Sequence, residues 1–221
     1  MSDLREWDAA SYDALPLPHA AWGHRVLDRM DLVGDEVVLD AGCGTGRDAL
    51  ALLERWPQAR VIGVDGSQQM LDQARERLDA RVTLVRADLT QPLPLPEQVD
   101  AVMSVAAFHW IRDHTALFEH LHAAMKTGAS LTTDCGGRGN VAGVNRALAQ
   151  VTGQDHDGWE FAGAEDTRAR LESIGFEVYS VALRPDPFRC ADPEILERYL
   201  ATVVLGSKLD AMPESERAAF I

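Results

Sequence analysis

The chain has 221 residues, 46% of them hydrophobic and 25% charged, which is ordinary for a globular protein of one or two domains. Its net charge of −14 disfavours a nucleic-acid partner, because binding phosphates needs a basic surface. No apolar stretch is long enough for a signal peptide or a membrane span, so we expect a cytoplasmic protein with no membrane partner.

The first 34 residues predict a helical cap ahead of the first strand. Pro16 and Pro18 interrupt the chain, and a helix with Trp22 on its apolar face is predicted from residue 19 to 30. Trp7 and Tyr12 add further aromatic rings, and we expect Tyr12 to reach a bound ligand.

A strand, a tight turn and a helix are predicted over residues 37–56. The apolar run 37–39 ends at Asp40, and glycines follow at alternate positions, Gly42, Gly44 and Gly46. This spacing differs from the G-x-G-x-x-G pattern of dinucleotide sites. An acid at the strand end suits a cationic amine better than a pyrophosphate.

Two further strands also lead to acids. Residues 61–64 precede Asp65, which is placed to accept hydrogen bonds from ribose hydroxyls. After Ser67, the predicted N-cap of a helix, residues 82–85 form a third strand leading to Asp88. Acids at three successive strand ends, together with the glycine loop, indicate a built ligand site.

The rest of the chain continues to alternate between strands and helices. Such alternation predicts an α/β fold, a Rossmann-like, doubly wound, mostly parallel sheet with helices on both faces. The further predicted strands are 99–105, 130–133 and 176–183, and the further predicted helices are 113–126, 140–151, 165–174, 192–204 and one from residue 213.

On these motifs, residues 7–183 resemble the class I S-adenosylmethionine-dependent methyltransferases. The resemblance implies S-adenosylmethionine as cofactor and S-adenosylhomocysteine as product, whereas a domain binding NAD or no ligand is the alternative. It implies that Asp40 and the glycine loop face the methionine part and that Asp65 holds the ribose. The implied cofactor-binding set is Tyr12, Asp40, Gly42, Cys43, Gly44, Asp65, Gly66, Met70, Ala87, Asp88, Leu89 and Ser104, with Asp88 on the adenine amino group and Ser104 beginning the loop that faces the sulfonium.

The resemblance also implies a seventh strand, antiparallel and beside the sixth. No strand of adequate length follows residue 183. We therefore expect a cap over residues 1–34, a cofactor-binding core over 35–183, and a helical segment over 184–221. That segment is interpreted as a lid or as a truncated end of the domain.

The triplet Phe108-His109-Trp110 carries the prediction about the substrate. It looks like the trans-aconitate methyltransferase branch, which methylates small molecules at carboxyl groups. His109 and Trp110 are the predicted catalytic residues: both could donate hydrogen bonds to a carboxylate, or His109 could act as the base for a phenol or alcohol. Packing of the loop is the structural alternative for both.

The predicted activity is thus O-methylation of a small-molecule acceptor, with a carboxylate as one candidate. Methylation of nitrogen or carbon in a metabolite, and a cofactor-binding module without transferase activity, remain open. The widely spaced Cys43, Cys135 and Cys190 predict reduced thiols, with Cys43 packing inside the glycine loop, and no metal site. The sequence does not indicate an oligomeric state.

Overall fold

A parallel sheet forms the centre of the computed structural model, which describes residues 4–15, 19–153 and 160–221. The sheet has five strands in the order β3-β2-β1-β4-β5, and every neighbouring pair is parallel. Pro16 and Pro18, the predicted break in the cap, lie outside the described residues. The strands are β1 Val37–Ala41, β2 Arg60–Asp65, β3 Val82–Arg86, β4 Val99–Val105 and β5 Met125–Asp134.

Helices connect the strands and cover both faces of the sheet. The predicted N-cap Ser67 is confirmed, since its hydroxyl accepts from the Met70 amide, and the helix that begins at His114 is capped in the same way by Asp113, which accepts from the Ala116 amide. None of the described helices is long and apolar enough to cross a bilayer. The helices are α1 Ala9–Asp13, α2 His19–Leu27, α3 Arg47–Arg55, α4 Gln68–Arg77, α5 His114–Ala124, α6 Ala142–Thr152, α7 Ala164–Ile174, α8 Pro193–Tyr199, α9 Gly206–Asp210 and α10 Glu214–Phe220, with a 3₁₀ turn at Phe108–Trp110 and a π-helical turn at Leu200–Val204.

Alternate residues of the strands enter two separate apolar layers. Leu39 packs in the layer that includes residues of α5 and α7, whereas its neighbour Val38 packs in the layer with residues of α2 and α3. This alternation follows from the two-residue period of a strand, and it confirms the doubly wound fold. A third apolar cluster joins the cap to the C-terminal helices, through Leu15, Leu148 and residues 203–205 and 209.

The predicted sixth strand is wrong. Residues 176–183 follow α7 without regular secondary structure, although Phe176 and Val178 still pack on the first apolar layer while Tyr179 is 86% exposed. A strand is stabilised by hydrogen bonds to a neighbour, and no seventh strand is found among the described residues. The segment keeps an alternating pattern of burial but forms no ladder with the edge strand β5 or with any other described strand.

The strand order reverses between β1 and β4. In an open parallel sheet this point leaves a crevice at the carboxyl ends of the strands, where ligands commonly bind. The acids predicted at strand ends, Asp40 and Asp65, both lie at this edge.

Candidate active site

A cavity lies at the carboxyl ends of β1, β2 and β4. The loop after β1, the tip of β2 and the loop after β4 form its floor, and the cap and the C-terminal segment form its roof. Its lining residues are Trp7, Tyr12, His19, Gly42, Gly44, Asp65, Met70, Val105, Ala106, Ala107, Trp110 and Val203. Six of the predicted site residues are therefore brought together: Tyr12, Gly42, Gly44, Asp65, Met70 and Trp110.

Gly42 and Gly44, in the loop after β1, have different structural roles. Gly42 and Gly44 have φ of +82° and +54°, which side chains rarely adopt. A methyl group built on Gly42 would lie 2.3 Å from the Cβ of Ala107, so Gly42 allows the loops after β1 and β4 to pack together. A methyl group on Gly44 would meet no atom within 4 Å, so Gly44 leaves open space for a ligand.

Asp65 joins the glycine loop to the tip of β2. Its Oδ2 accepts a 2.9 Å hydrogen bond from the Gly44 amide, and its Oδ1 accepts a 2.9 Å bond from the Ser67 amide. Burial raises the pKa of this carboxyl, while the amides favour its charged form. Each oxygen keeps a second lone pair, so the carboxylate can accept hydrogen bonds from two hydroxyl groups of a ligand.

Asp40 lies beneath the same loop and is only 1% exposed. Its Oδ2 has no hydrogen-bond partner among the described residues. Burial, followed by the charges of Asp48 and Asp65, raises the pKa of Asp40 well above its usual range, and Arg47 offsets this only in part. A ligand that brings positive charge to the loop would relieve this excess of buried negative charge, so the site fits a ligand with ammonium and sulfonium groups.

Two other predicted residues also support the loop from below. Cys43 is 6% exposed, and burial raises the pKa of its thiol well above the usual range, so it packs as a neutral side chain. Ser104 is fully buried, and its hydroxyl donates a 2.7 Å hydrogen bond to the Ala41 carbonyl, which joins β4 to the end of β1.

Of the residues predicted for the adenine end, Met70 lines the cavity, whereas Gly66, Ala87, Asp88 and Leu89 lie outside its lining. Leu89 is buried in the first apolar layer, and Asp88 Oδ1 accepts from both the amide and the hydroxyl of Thr90. The Ala87 amide donates to the Asp65 carbonyl at 3.2 Å. A methyl group on Gly66 would lie 3.2 Å from the Leu4 side chain, so the N-terminal segment covers this end of the site.

Residues 4–7, here called the N-terminal strap, are fastened over the tips of β2 and β3. The Glu6 carboxylate accepts hydrogen bonds from Ser67 Oγ and from the amides of Gln68 and Gln69 at the start of α4. Arg86 donates to Glu6 at 2.8 Å. The strap ends at Trp7, whose ring contacts Trp110 edge to face at 5.0 Å.

His109 and Trp110 are placed differently. Trp110 lines the cavity, whereas His109 lies behind it, 6% exposed, between the rings of Trp110 and Phe161. The Gly136 amide donates to His109 Nδ1 at 3.2 Å. Burial lowers the pKa of His109 to about 3, so the ring is neutral and its hydrogen is on Nε2.

Six lining residues are outside the predicted set of site residues: Trp7, His19, Val105, Ala106, Ala107 and Val203. Ala106 has φ of +56°, a strained value for a residue with a side chain, and its amide donates to the Asp134 carbonyl. No sequence pattern marks this strain. Val203 comes from the π-helical turn of the C-terminal segment, and only the interpretation of that segment as a lid points to it.

The cap is held on the glycine loop by a group of polar side chains, here called the cap latch. Arg77 of α4 donates to Asp13 of α1 at 2.6 Å and to the carbonyl and hydroxyl oxygens of Thr45 at 2.7 Å. The Thr45 hydroxyl also donates to Asp13 at 2.7 Å. Asp13 follows Tyr12, and Thr45 follows Gly44, so the latch joins two walls of the cavity.

Comparisons with known proteins identify the protein family. Residues 38–128 match a protein family described as a methyltransferase domain. The chain is 31% identical to a trans-aconitate 2-methyltransferase of Rhodopseudomonas palustris (strain BisB5), over 82% of this chain and 69% of the relative. It is also 32% identical to a malonyl-[acyl-carrier protein] O-methyltransferase of Xylella fastidiosa (strain M23), over 67% of this chain and 52% of that protein.

A solved structure is similar as well. It is phosphoethanolamine N-methyltransferase 2 of Haemonchus contortus in complex with S-adenosyl-L-methionine. The TM-score is 0.59 and the identity 25%, over 70% of this chain and 36% of that protein. The similarity thus covers most of this chain and about a third of that protein.

Proposed function

Because this chain belongs to the class I S-adenosylmethionine-dependent methyltransferases and resembles their trans-aconitate branch, we propose that it methylates an oxygen of a small molecule, and specifically a carboxylate. The observation that carries the proposal is the cavity at the β1/β4 crevice. It joins a cofactor end, with Gly44 and Asp65, to an aromatic end, with Tyr12 and Trp110. When bound, S-adenosylmethionine supplies an electrophilic methyl group on its sulfonium.

The cofactor end is assigned from the contacts above. The open space at Gly44 and the buried charge of Asp40 suit the charged methionine part, with Cys43 and Ser104 supporting the loop. Asp65 accepts from the ribose hydroxyls. The proposed adenine contacts are Gly66, Met70, Ala87, Asp88 and Leu89, and the N-terminal strap then covers them.

A carboxylate suits the aromatic end because it is already ionised at neutral pH and needs alignment but no base. Alignment of this kind can contribute about 7–11 kcal/mol. His109 Nδ1 is already engaged by the Gly136 amide, which favours a role for His109 in holding Trp110 against the acceptor over a role as a base. The names of the two relatives, with aconitate and malonyl groups, support a carboxylate acceptor.

Methylation of an amine is the second candidate. The rings of Trp7, Tyr12 and Trp110 line the cavity, and aromatic faces attract cations. The similar solved structure is named as an N-methyltransferase.

We also propose a cytoplasmic location, since the three cysteines are unpaired thiols.

The test is release of S-adenosylhomocysteine with matched acceptors. Carboxylic acids, phenols and primary amines built on the same apolar skeletons should be compared at neutral pH. The proposal expects turnover with acids above phenols and amines. Turnover with amines alone would replace it by the second candidate.

A further inference from the structure

We propose that His19 binds the carboxylate of the acceptor and that the Tyr12 hydroxyl fixes His19 for this task. The proposal rests on the proposed function and deepens it. It places the acceptor-binding histidine in the cap, and it identifies the acceptor as an acid with an aromatic or apolar body.

The first observation is the position of His19. It is the first residue of α2, it is 5% exposed, and it lines the cavity. Helix α2 packs against β4 and β5, whereas Asp65 lies at the tip of β2. His19 is therefore on the half of the crevice away from the proposed ribose contact.

The second observation is that the ring is held in place. Its Nδ1 lies 2.8 Å from the Tyr12 hydroxyl, and its ring stacks on Tyr12 at 6.0 Å and contacts Trp22 at 4.9 Å. Trp22 is held in turn, because its Nε1 donates to Asp186 at 2.9 Å. A side chain fixed on two sides loses little freedom when a ligand binds.

The third observation concerns the other ring nitrogen. No hydrogen bond among the described residues uses His19 Nε2, and this atom is not one of the buried polar atoms left without a partner. Nε2 is therefore accessible to a ligand. Because His19 lines the cavity, we infer that Nε2 is accessible from the cavity.

The protonation states favour a donor at Nε2. Burial lowers the pKa of His19 to about 3 and raises the pKa of Tyr12 above its usual range, so both groups are neutral at pH 7. A neutral ring carries one hydrogen, and in the proposed arrangement the Tyr12 hydroxyl donates to Nδ1, so that this hydrogen is on Nε2. One carboxylate oxygen accepts from Nε2–H, and the second oxygen remains free to attack the methyl group.

The body of the acceptor faces mostly apolar groups. Around His19 the cavity wall consists of Trp7, Trp110, Val105, Ala106 and Val203. An aromatic or branched apolar body would pack against this wall, while the carboxylate binds to the His19–Tyr12 pair.

The test uses phenylacetate and its neutral analogue phenylacetamide with the full chain saturated with S-adenosylhomocysteine. Binding is followed by calorimetry and by ¹⁵N resonances of the histidine rings. We expect phenylacetate to bind more tightly than phenylacetamide and to shift the Nε2–H resonance of one histidine, which His19→Asn removes. In His19→Asn the affinity for phenylacetate should fall about 10-fold or more, because a hydrogen bond to a charged group is lost.

A conservative variant and a control variant distinguish loss of the hydrogen bond from a general effect of the substitution. His19→Gln should recover part of the affinity, because its amide nitrogen can reach the place of Nε2. His24→Asn, at an exposed position of the same helix, should match the wild type. Affinity for S-adenosylhomocysteine should be the same in all four proteins.

Three results would overturn the proposal: no binding of phenylacetate to the wild type, equal binding in His19→Asn, or loss of S-adenosylhomocysteine in His19→Asn with retained folding. These readouts do not require turnover. A protein that binds the acid through His19 but methylates no acid would contradict the proposed function and leave this inference standing.

Discussion

The Gly44 amide donates a 2.9 Å hydrogen bond to Oδ2 of Asp65, which joins the glycine loop after β1 to the tip of β2. The same carboxylate also holds the start of α4 through the Ser67 amide. One side chain thus shapes the loop and offers hydrogen-bond acceptors to the cavity. Loss of this side chain should therefore weaken cofactor binding more than it destabilises the fold.

Asp65→Ala should weaken S-adenosylmethionine binding by about 100-fold or more, because each hydrogen bond to a charged group contributes about 1.5–3 kcal/mol. Calorimetric titration measures this. Asp72→Ala is the matched control, since Asp72 lies on the exposed side of α4 and contacts Gln68 and Arg75. Equal affinities for S-adenosylmethionine in the two variants would show that Asp65 does not bind the cofactor.

Gly44→Ala should fold but lose most cofactor affinity, because its new methyl group would occupy the open space above the loop. The control is Gly128→Ala, since Gly128 has φ of +83° and is also open within 4 Å. Both variants carry a backbone strain of about 1–2 kcal/mol, so their Tm values should fall together. A cofactor affinity equal to that of the wild type in Gly44→Ala would contradict our view of the loop.

The cap latch should control release of the cofactor. Arg77→Gln removes the contacts with Asp13 and Thr45, so α1 should open more often and S-adenosylhomocysteine should dissociate about 10-fold faster, as expected for a loss of ~1.4 kcal/mol. Displacement kinetics measure this rate, and hydrogen exchange in α1 reports the opening. Arg75→Gln, two residues away and exposed, should behave as the wild type; equal rates in both variants would exclude a latch.

The stability of the protein should depend on the buried His109. Its pKa is lowered to about 3, against 6.5 for an unfolded chain, so only the unfolded state takes up a proton between these values. The stabilisation is complete above pH 6.5 and declines as the pH falls toward 3. Asp40 and Asp65, whose pKa values are raised, act in the opposite direction, so the wild type alone does not isolate His109.

Comparison with His109→Asn isolates the effect. The difference in unfolding free energy between the two proteins should shrink by about 1.4 kcal/mol per pH unit below pH 6.5. Above pH 7 the difference should be constant. Urea unfolding at several pH values measures it, and a difference that stays constant from pH 7 to pH 5 would show that His109 does not titrate as described.

The three inner strands of the sheet could be predicted from the sequence because β1, β2 and β4 are buried on both faces and appear as apolar runs. Residues 176–183 show why this signal has a limit. Phe176 and Val178 are partly buried and Tyr179 is exposed, as in a strand, yet the segment pairs with no described strand, including the edge strand β5. A pattern of hydrophobicity reports which face is buried, and it does not report whether a partner strand is present.

The part of the site that lies at the ends of strands could be predicted from the sequence. Asp40 and Asp65 lie at the carboxyl ends of β1 and β2, and the glycines follow β1 directly, so their shared edge follows from the parallel order. His19 and Val203 reach the cavity through packing of the cap and the C-terminal segment, which no local pattern encodes. The strain at Ala106 depends on contacts with Asp134 and is equally invisible in the sequence.

The central claim is transfer of a methyl group to a carboxylate oxygen. The most direct measurement is incubation of the full chain with deuteromethyl-labelled S-adenosylmethionine and a panel of aromatic and branched acids and amines, followed by mass spectrometry and NMR of the products. We predict labelled methyl esters, formed together with equal amounts of S-adenosylhomocysteine. Label on nitrogen or carbon of amine-containing compounds in the same panel, with no ester from any acid, would contradict the claim.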